Sequence, residues 1–578
     1  MTEHPWIIAD PAPNKMVDSF PEMHRVILQL LFNRGITSQD EVDVFFGPDW
    51  GRDTFPPSAF SQMKQVVART FEALEKGESI VIHGDYDADG VCGTSVLYVT
   101  LRDICRQMGF ETERISTYIP HREREGYGVS IGTVKRLVKD REMKLMITVD
   151  CGISNYEAVA EAKKQGVDVI ISDHHEVPEN VPEALLIHPQ APGETYPYKH
   201  LAGAGVAYKF AHGLLDEARN RGAGFHEGYE KWLLDFVAVA TVADIMPLTG
   251  ENRVLEKYGL LVLNKTRRIG LRKLVEVAGG KMGKLDTVSI GFQIGPRLNA
   301  AGRMRHADIA LELMIEEDES RANELAMQLQ SINQERQRTS EAMFQQARRQ
   351  VEEVPDERVI VTVAEGWSAG LVGLVAGKLV QHFGRPAFVV GQEGEAYVGS
   401  GRSVGGFHMV EALQSVSDCL EKFGGHPQAC GFSVRGKENL EKAIEGLQAF
   451  GRKQIEDKVL VPPVEIEAEL PLSEINWDFQ AQLEKFAPFG QGNSRPVFYT
   501  KDARIISMGA VGSSGRHLRM IVQDNSGNRF KCIGFQFGDW AESLHLGAEI
   551  DVAYELSINE WNNNRELQLV LKDLKLKG

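Results

Sequence analysis

The sequence predicts a multidomain α/β protein: a parallel-sheet domain, a long connecting helix, a second α/β domain and a small C-terminal β-barrel. Three observations carry this. From Ser79 onward, short apolar runs alternate with helical patterns, as in strand–helix–strand units on a parallel sheet covered on both faces. Glu317 to Val354 is Gln- and charge-rich, free of glycine, and has apolar residues at three- and four-residue steps. Beyond about 465, short β-like runs are separated by Gly, Asn and Ser.

With 578 residues the chain has room for three or four domains, each with its own core. The 43% apolar and 25% charged residues suit a globular protein and rule out general disorder or a collagen-like chain. No window holds about 18 consecutive apolar residues, and residues 1–13 show no basic segment followed by an apolar one. A cytoplasmic protein with no membrane partner is therefore expected. Six cysteines, at 92, 105, 151, 419, 430 and 532, form no CxxC and read as buried or incidental thiols. The 64 Lys and Arg stand against 81 Asp and Glu, a net charge of −17. That balance argues against a general coat for nucleic acid and leaves room for a local basic groove.

Residues 1–75 are mixed, with an apolar helical stretch at Met23 to Phe32 and Pro-rich punctuation at Phe55-Pro56-Pro57. They are expected to form an N-terminal extension packed on the first α/β domain. That domain is assigned to 76–316, with strands at Ser79 to Ile82, Lys144 to Val149 and Val167 to Ile171. The connecting helix, 317–354, would run about 50 Å and is expected to join domains rather than serve as core. Residues 355–460 form the second α/β domain, with strands at Val359 to Val363 and Ala387 to Val390. Val461-Pro462-Pro463 marks a linker. The barrel takes 465–578, with turns at Gly512-Ser513-Ser514-Gly515, Asn525-Ser526-Gly527 and Asn562-Asn563-Asn564.

Chemistry concentrates at strand ends. His83-Gly84-Asp85-Tyr86-Asp87-Ala88-Asp89-Gly90 follows the first strand, and three carboxylates at two-residue spacing repel one another in a folded turn unless cations neutralise them. The plain alternative is a solvated acidic turn. An EF-hand does not fit, because Val96 stands at loop position 12 where a Glu belongs. The second strand ends in Asp150-Cys151-Gly152 and the third in Asp173-His174-His175-Glu176. Ligands of open α/β sheets bind outside the carboxyl ends of the strands, so Asp87, Asp89, Asp150 and His174 should converge. Asp244, alone in the apolar stretch Phe236 to Leu248, needs a partner. Carboxylates and imidazoles without Cys favour Mn²⁺ or Mg²⁺ over structural Zn²⁺. Two such ions bridged by one Asp, about 3.5 to 4 Å apart, form the clamp used in phosphoester hydrolysis.

The strings His83 to Gly90 and Asp173-His174-His175, with the later Gly424-Gly425-His426-Pro427-Gln428-Ala429-Cys430-Gly431-Phe432, resemble the DHH phosphoesterases with their DHH-associated domain. Within them the chain is similar to the RecJ family of bacterial 5′→3′ exonucleases specific for single-stranded DNA. The likeness runs from about residue 50 to the C-terminus, through Arg122 to Gly128, Gly295 to Arg303, Gly401-Arg402-Ser403 and the OB-fold signature Pro488 to Asn493. It implies a DHH parallel-sheet domain, a long connecting helix, a DHH-associated α/β domain and a C-terminal OB-fold β-barrel. It also implies two ions, Mn²⁺ or Mg²⁺, held by Asp87, Asp89, Asp150, His174 and Asp244, with Asp150 bridging and His83 and Asp85 as ligands or as neighbours of ligands. His175 would sit against the scissile phosphate, polarising it or protonating the leaving group, while Asp173 orients its neighbours. Arg297 and Arg303, flanking Asn299, would offer guanidinium forks to phosphates, with surface ion pairs the plain alternative. Gly424, Gly425 and His426 would let the strand approach closely, and Arg122, Arg402 and Ser403 would form a pocket for the 5′-end phosphate. The chain departs from the family pattern at Trp367-Ser368, where Trp-His is usual, and at Lys378, where Arg is common; Lys offers a phosphate a point charge, not a fork.

Residues 485–578 hold 12 Lys and Arg against 10 Asp and Glu, and the rest of the chain 52 against 71. Seven basic residues fall between 495 and 531, including Arg504, Arg516, Arg519 and Lys531, interleaved with Phe498, Tyr499 and Phe530. A basic groove with aromatic faces is how OB-folds hold single strands, and the same aromatics would equally fill a barrel. Neither Gly377-Lys378 nor Gly203-Ala204-Gly205 makes a nucleotide loop, because Val372 and Leu379 break the first pattern and Tyr208 the second. The expected function is a two-metal exonuclease that degrades single-stranded DNA to mononucleotides in repair and recombination. A monomer is expected, with single-strand-binding protein and a RecQ-type helicase as partners implied by the family alone. The OB tail argues against a small-substrate phosphodiesterase, and the filled ligand positions argue against an inert replisome scaffold.

Overall fold

β-branched apolar residues at Ile80, Val81 and Ile82 build a strand, Ser79–Gly84, that is buried along its whole length. In the computed structural model, which describes residues 4–455, 462–512, 515–561 and 564–577, this strand lies inside a five-stranded parallel sheet. Val461 of the expected linker and Ser513, Ser514, Asn562 and Asn563 of two expected turns lie outside the described residues. The sheet order is Ile115–Tyr118, Ser79–Gly84, Met143–Val149, Asp168–Ser172, Leu185–Ile187. Ile80, Ile82 and Ile147 face one core, shared with the helices Met63–Glu75, Ala88–Met108 and Gly203–Asn220. Val81, Met146 and Ile171 face a second core, under Ile131–Arg141 and Tyr156–Lys164. Both faces are thus covered, as continuous apolar strands require.

The chain separates into two units, Trp50–Lys458 with Gly490–Gly492, and Met1–Asp49 with Val459–Phe489 and Asn493–Gly578. In the first unit, the helix Glu319–Glu353 is capped by Asp318, whose carboxylate accepts from Arg321 N at 2.8 Å. At 35 residues it spans about 52 Å. It joins the two α/β domains, but the expectation that it is not core needs correction. Ala322, Leu325, Ala326 and Leu329 belong to the core of the parallel-sheet domain, and Met343, Ala347 and Val351 to the core of the next. That next domain has a mixed sheet, ordered Lys422–His426, Ala429–Arg435, Ala396–Arg402, Ala387–Glu393, Ile360–Glu365. Its edge strand Lys422–His426 is exposed at every residue.

In the second unit, Phe498–Val511, His517–Gln523, Arg529–Gly534, Asn564–Leu576 and Glu549–Trp561 follow one another around a barrel, which closes where the first strand pairs with the last. Residues 1–75 do not form one extension: the chain divides after Asp49. The reason is the apolar side of Arg25–Asn33, where Val26, Ile27, Leu30 and Leu31 share one core with Phe479, Phe486 and Phe498 of the barrel unit. Arg34 ties the joint, with two bonds to Glu467 and one from Nε to Asn493 Oδ1 at 2.8 Å.

Candidate metal centre and nucleic-acid site

The candidate ligands gather where regular elements begin or end. Asp87 caps the helix Ala88–Met108, its carboxylate accepting from Asp89 N and Gly90 N. Asp150 follows the strand Met143–Val149 with φ +58, a left-handed backbone rarely taken by a non-glycine residue and common at functional sites. Asp173, His174 and His175 follow Asp168–Ser172. Asp244 ends the helix Leu234–Ala243, and Ile245 after it has φ +57. Together they form three groups whose ligand atoms lie within 4.8 Å of one another: Asp85, Asp87 and Asp150; Asp89, His174 and Asp244; Asp150, His174 and His175. Asp150 belongs to two of these. His174 Nε2 lies 3.1 Å from Asp150 Oδ1 and 3.6 Å from both Asp89 and Asp244.

This packing of carboxylates calls for cations. Burial first and then Asp87 push Asp89 up to about 7, and burial and then Asp89 push Asp244 up to about 8. Asp85 and Asp150 are driven well above the ordinary carboxylate range, by burial and then by neighbouring aspartates. Asp85 Oδ1, Asp150 Oδ1 and His174 Nε2 are buried with no hydrogen-bond partner. Burial lowers His174 to about 4, so its ring is a neutral donor, hydrogen-bonded by the Leu201 main chain. An oxygen-rich set with one neutral imidazole fits Mn²⁺ or Mg²⁺. His83 is also buried, is lowered by that burial to about 4 and has an unpartnered Nε2. Its Nδ1 lies 3.8 Å from Cys151 Sγ, and it joins none of the three groups.

His175 differs from His174. Burial lowers it, but its 2.8 Å bond to Asp173 wins and raises it to about 9, so it is an imidazolium at neutral pH. Against its own burial, Asp173 is kept at about 2 by His175 and by a bond from Ile153 N. The Tyr127 hydroxyl donates to Asp150 O at 3.0 Å and lies 3.0 Å from His175 Nδ1. Tyr127 lies inside the stretch Arg122 to Gly128 that carries the family likeness, where the sequence alone assigns it no task. Nor does the sequence assign one to Gly203-Ala204, whose N–H groups at a helix start donate to both Asp89 oxygens at 2.7 and 2.6 Å. A side chain at Gly203 would collide with Asp150, 2.7 Å from a Cβ there. The visible signal was a small-residue helix start in an apolar stretch.

Three arginines act on a fourth, Arg303. Arg303 is lowered to about 10, by burial first and then by Arg122, with Arg336 and Arg402 adding. Arg122 lies over the Tyr86 ring, 4.8 Å from its centroid. Arg303 donates to Gly370 O, Arg336 to Asn333 Oδ1, and Arg402 to Ser400 Oγ and Gly401 O. None of the four forms an ion pair with a carboxylate among the described residues, so together they make a cationic site lacking its anion. Arg336 was missed, because its position on a charged helix face looks like ordinary surface. Arg297 is lowered by burial and then by Arg336, but its guanidinium is committed to Gln293 O at 2.6 Å and Gln330 Oε1 at 2.8 Å, pinning two helices. Asn299 accepts from Ala88 N at 2.7 Å and so steadies the acidic turn. Ser403 Oγ donates to Val404 O and Phe407 O. Gly424 and Gly425 lie on the exposed edge strand, and His426 Nδ1 is 3.7 Å from Glu176.

Family models match three stretches: DHH family, N-terminal domain, at residues 79–241; DHHA1 domain at 356–453; and RecJ OB domain at 466–573. The single-stranded-DNA-specific exonuclease RecJ of Bacillus subtilis is 36% identical over 574 residues, covering 98% of this chain and 70% of that protein. The chain belongs to the RecJ family of DHH phosphoesterases. The Haemophilus influenzae RecJ is 31% identical, over 89% of this chain and 91% of its own. The crystal structure of RecJ in complex with Mn²⁺ from Thermus thermophilus matches with a TM-score of 0.82 and 28% identity, over 99% of this chain and 79% of that one. A Mg²⁺ complex of the same protein gives 0.75 and 27%, over 99% and 78%.

The departures from the RecJ pattern have structural occupations. Trp367 is buried and donates from its indole to Gln346 at 2.9 Å, Ser368 caps the helix Ala369–Phe383, and Lys378 pairs with Glu341 at 3.0 Å. In the RecJ OB domain, the expected basic groove is thinner than its sequence suggests. Arg504 pairs with Glu549, Lys531 with Glu566 and Lys501 with Glu469. Arg516 and Arg519 are not buried and form no ion pair among the described residues. Phe498 is buried in the barrel core and Phe530 packs against it, while Tyr499, on the opposite face of its strand, is buried in a separate cluster with Ile466 and Ala553, so none of the three offers a free ring face to a strand of DNA. Among the described residues, no helix is long and apolar enough to cross a membrane.

Proposed function

We propose that the chain is a metal-dependent exonuclease that degrades single-stranded DNA to mononucleotides from the 5′ end, in DNA repair and recombination. The observation that carries it is the crowded set Asp85, Asp87, Asp89, Asp150, His174 and Asp244 beside four arginines that lack an anion. Asp85 and Asp87 on one side and Asp89, His174 and Asp244 on the other would hold two ions, with Asp150 reaching both. Bound Mn²⁺ or Mg²⁺ supplies charge neutralisation and a nucleophile at neutral pH.

The chain's own groups do the rest. His175, protonated and steered by Asp173 and Tyr127, stands at the open side of the centre as the donor to the leaving oxygen. Arg122, Arg303, Arg336 and Arg402 grip phosphates near the end of the strand, and a 5′-phosphate lodged against Arg122 and Arg402 sets polarity. Gly424, with open space where a Cβ would stand, leaves the edge strand bare for close approach, Gly425 lets that strand pack on Ala429 and Cys430, and Arg516 and Arg519 add weaker contacts on the OB domain. Single-strand-binding protein, a helicase, a monomeric state and a cytoplasmic setting complete this reading. The test is degradation of 5′- and 3′-labelled single strands, duplex and short RNA in Mn²⁺, by wild type and Asp150→Ala. Mononucleotides should leave first from the 5′ end of single-stranded DNA alone, and Asp150→Ala should be inactive, in line with loss of a shared ligand. Release first from the 3′ end, or an active Asp150→Ala, overturns the proposal.

A further inference from the structure

Asn252 is fully buried near the start of the helix Gly250–Leu263. Its side-chain amide donates to two main-chain carbonyls, His200 O at 2.5 Å and Pro247 O at 3.1 Å. His200 O begins the segment that hydrogen-bonds Asp89 and His174, and Pro247 O ends the turn that carries Asp244. On one side, Leu201 follows His200 and hydrogen-bonds the His174 ring, and Gly203 and Ala204 hold Asp89. On the other, Pro247 follows the turn Asp244-Ile245-Met246, which is fastened to its helix by Met246 N to Thr241 O at 3.0 Å.

The clamp itself is anchored. Glu251, next to Asn252, accepts from Lys209 Nζ at 2.7 Å, Tyr196 Oη at 2.7 Å and Phe55 N at 2.8 Å, all at buried or half-buried positions. The Tyr198 hydroxyl adds a bond to Thr249 O at 2.9 Å. The start of the helix is therefore fixed against Gly203–Asn220, and Asn252 reaches from a fixed point to both segments. The –NH₂ offers two donors at once, whereas Ser offers one and an ionised Asp none, and the two bonds are kept although Oδ1 is buried without a partner.

We propose that Asn252 is a positioning residue that sets the spacing of Asp89, His174 and Asp244, and so the affinity of one of the two ion positions and not the other. This rests on reading that group as a divalent-ion site. Asp85 and Asp87, which make the other group with the shared Asp150, accept no hydrogen bond from Asn252 or from the residues 200–204 that it clamps, among the described residues.

The experiment is a Mn²⁺ titration of the full chain, following free ion by electron paramagnetic resonance, with thermal unfolding in EDTA alongside. Asn252→Leu removes both donors and Asn252→Ser keeps one. Asn252→Leu is expected to bind one ion as wild type does and the second about 10- to 100-fold more weakly, the usual effect of losing a group that orients ligands. Asn252→Ser should fall between, and excess Mn²⁺ should restore kcat on single-stranded DNA in both. If Asn252→Leu does not fold, Asn252→Ser alone decides by the same split. Two ions bound as in wild type, or both weakened equally, overturn the assignment. Asp244→Asn is the control for the underlying reading: if it keeps both ions at wild-type affinity, the ion site itself is wrong, whatever Asn252 does.

Discussion

His174 and His175 are adjacent and chemically identical, yet their surroundings drive them apart, His174 down to about 4 and His175 up to about 9. The difference lies in one carboxylate: Asp173 binds His175 directly, while burial leaves His174 neutral and free to act as a ligand. His175→Ala should therefore cut kcat by roughly 10² to 10⁴, the usual contribution of a positioned acid, with Mn²⁺ binding near that of wild type. Loss of Mn²⁺ binding in that variant would instead make His175 a ligand. At Arg402 the expected change is in discrimination. A charge-assisted bond contributes about 1.5 to 3 kcal/mol, so Arg402→Ala should lower the preference for 5′-phosphorylated over 5′-hydroxyl strands by roughly 10- to 100-fold. An unchanged ratio of initial rates on the two substrates would place the 5′-phosphate elsewhere.

The helix Glu319–Glu353 has its own consequences as an element. Its first half completes the core of one domain and its last turns the core of the next, so the face between carries both packing residues and Arg336. Leu329 is fully buried, and Leu329→Ala should cost about 2 to 5 kcal/mol in denaturant unfolding of the unit. Because one helix is shared, hydrogen exchange should accelerate in Ile360–Glu365 as well as in the parallel sheet; acceleration in the parallel sheet alone would show that the domains open independently. A sequence window reveals this helix by its period, but not which side each end buries, since that depends on strands far along the chain.

For the whole molecule, the centre makes stability depend on metal and pH together. A carboxyl whose folded value is raised contributes stability that is complete below its unfolded value and is lost as pH rises through the folded one. For Asp89 and Asp244 that window runs from an ordinary 3.8 to about 7 and about 8. In EDTA, Tm should fall across that range, and Mn²⁺ should raise it most at the upper end. A metal-induced gain in Tm that stays flat from pH 5 to 8 would mean that the carboxylates are not the repelling set described. The net charge of −17 acquires a location in the same way, since six aspartates (85, 87, 89, 150, 173 and 244) cluster at the centre, where divalent ions offset them.

The sequence by itself determined the strand–helix alternation, the acidic turns at strand ends and the long helix, because each is written in neighbouring residues or in one helical period. Asp87 caps its helix and Asp150 takes a left-handed backbone within a few residues of the motifs that announced them. Tertiary structure alone decided which charges are free. Lys531 and Glu566, or Arg34 and Glu467, lie far apart in the chain and meet only across strands or between a helix and a barrel, whereas Arg122, Arg336 and Arg402 act on Arg303 and none of the four forms an ion pair with a carboxylate among the described residues. It likewise placed residues 1–49 with the barrel and made Asn252 a clamp, since a buried apolar face and a buried amide are satisfied by whatever the fold brings beside them.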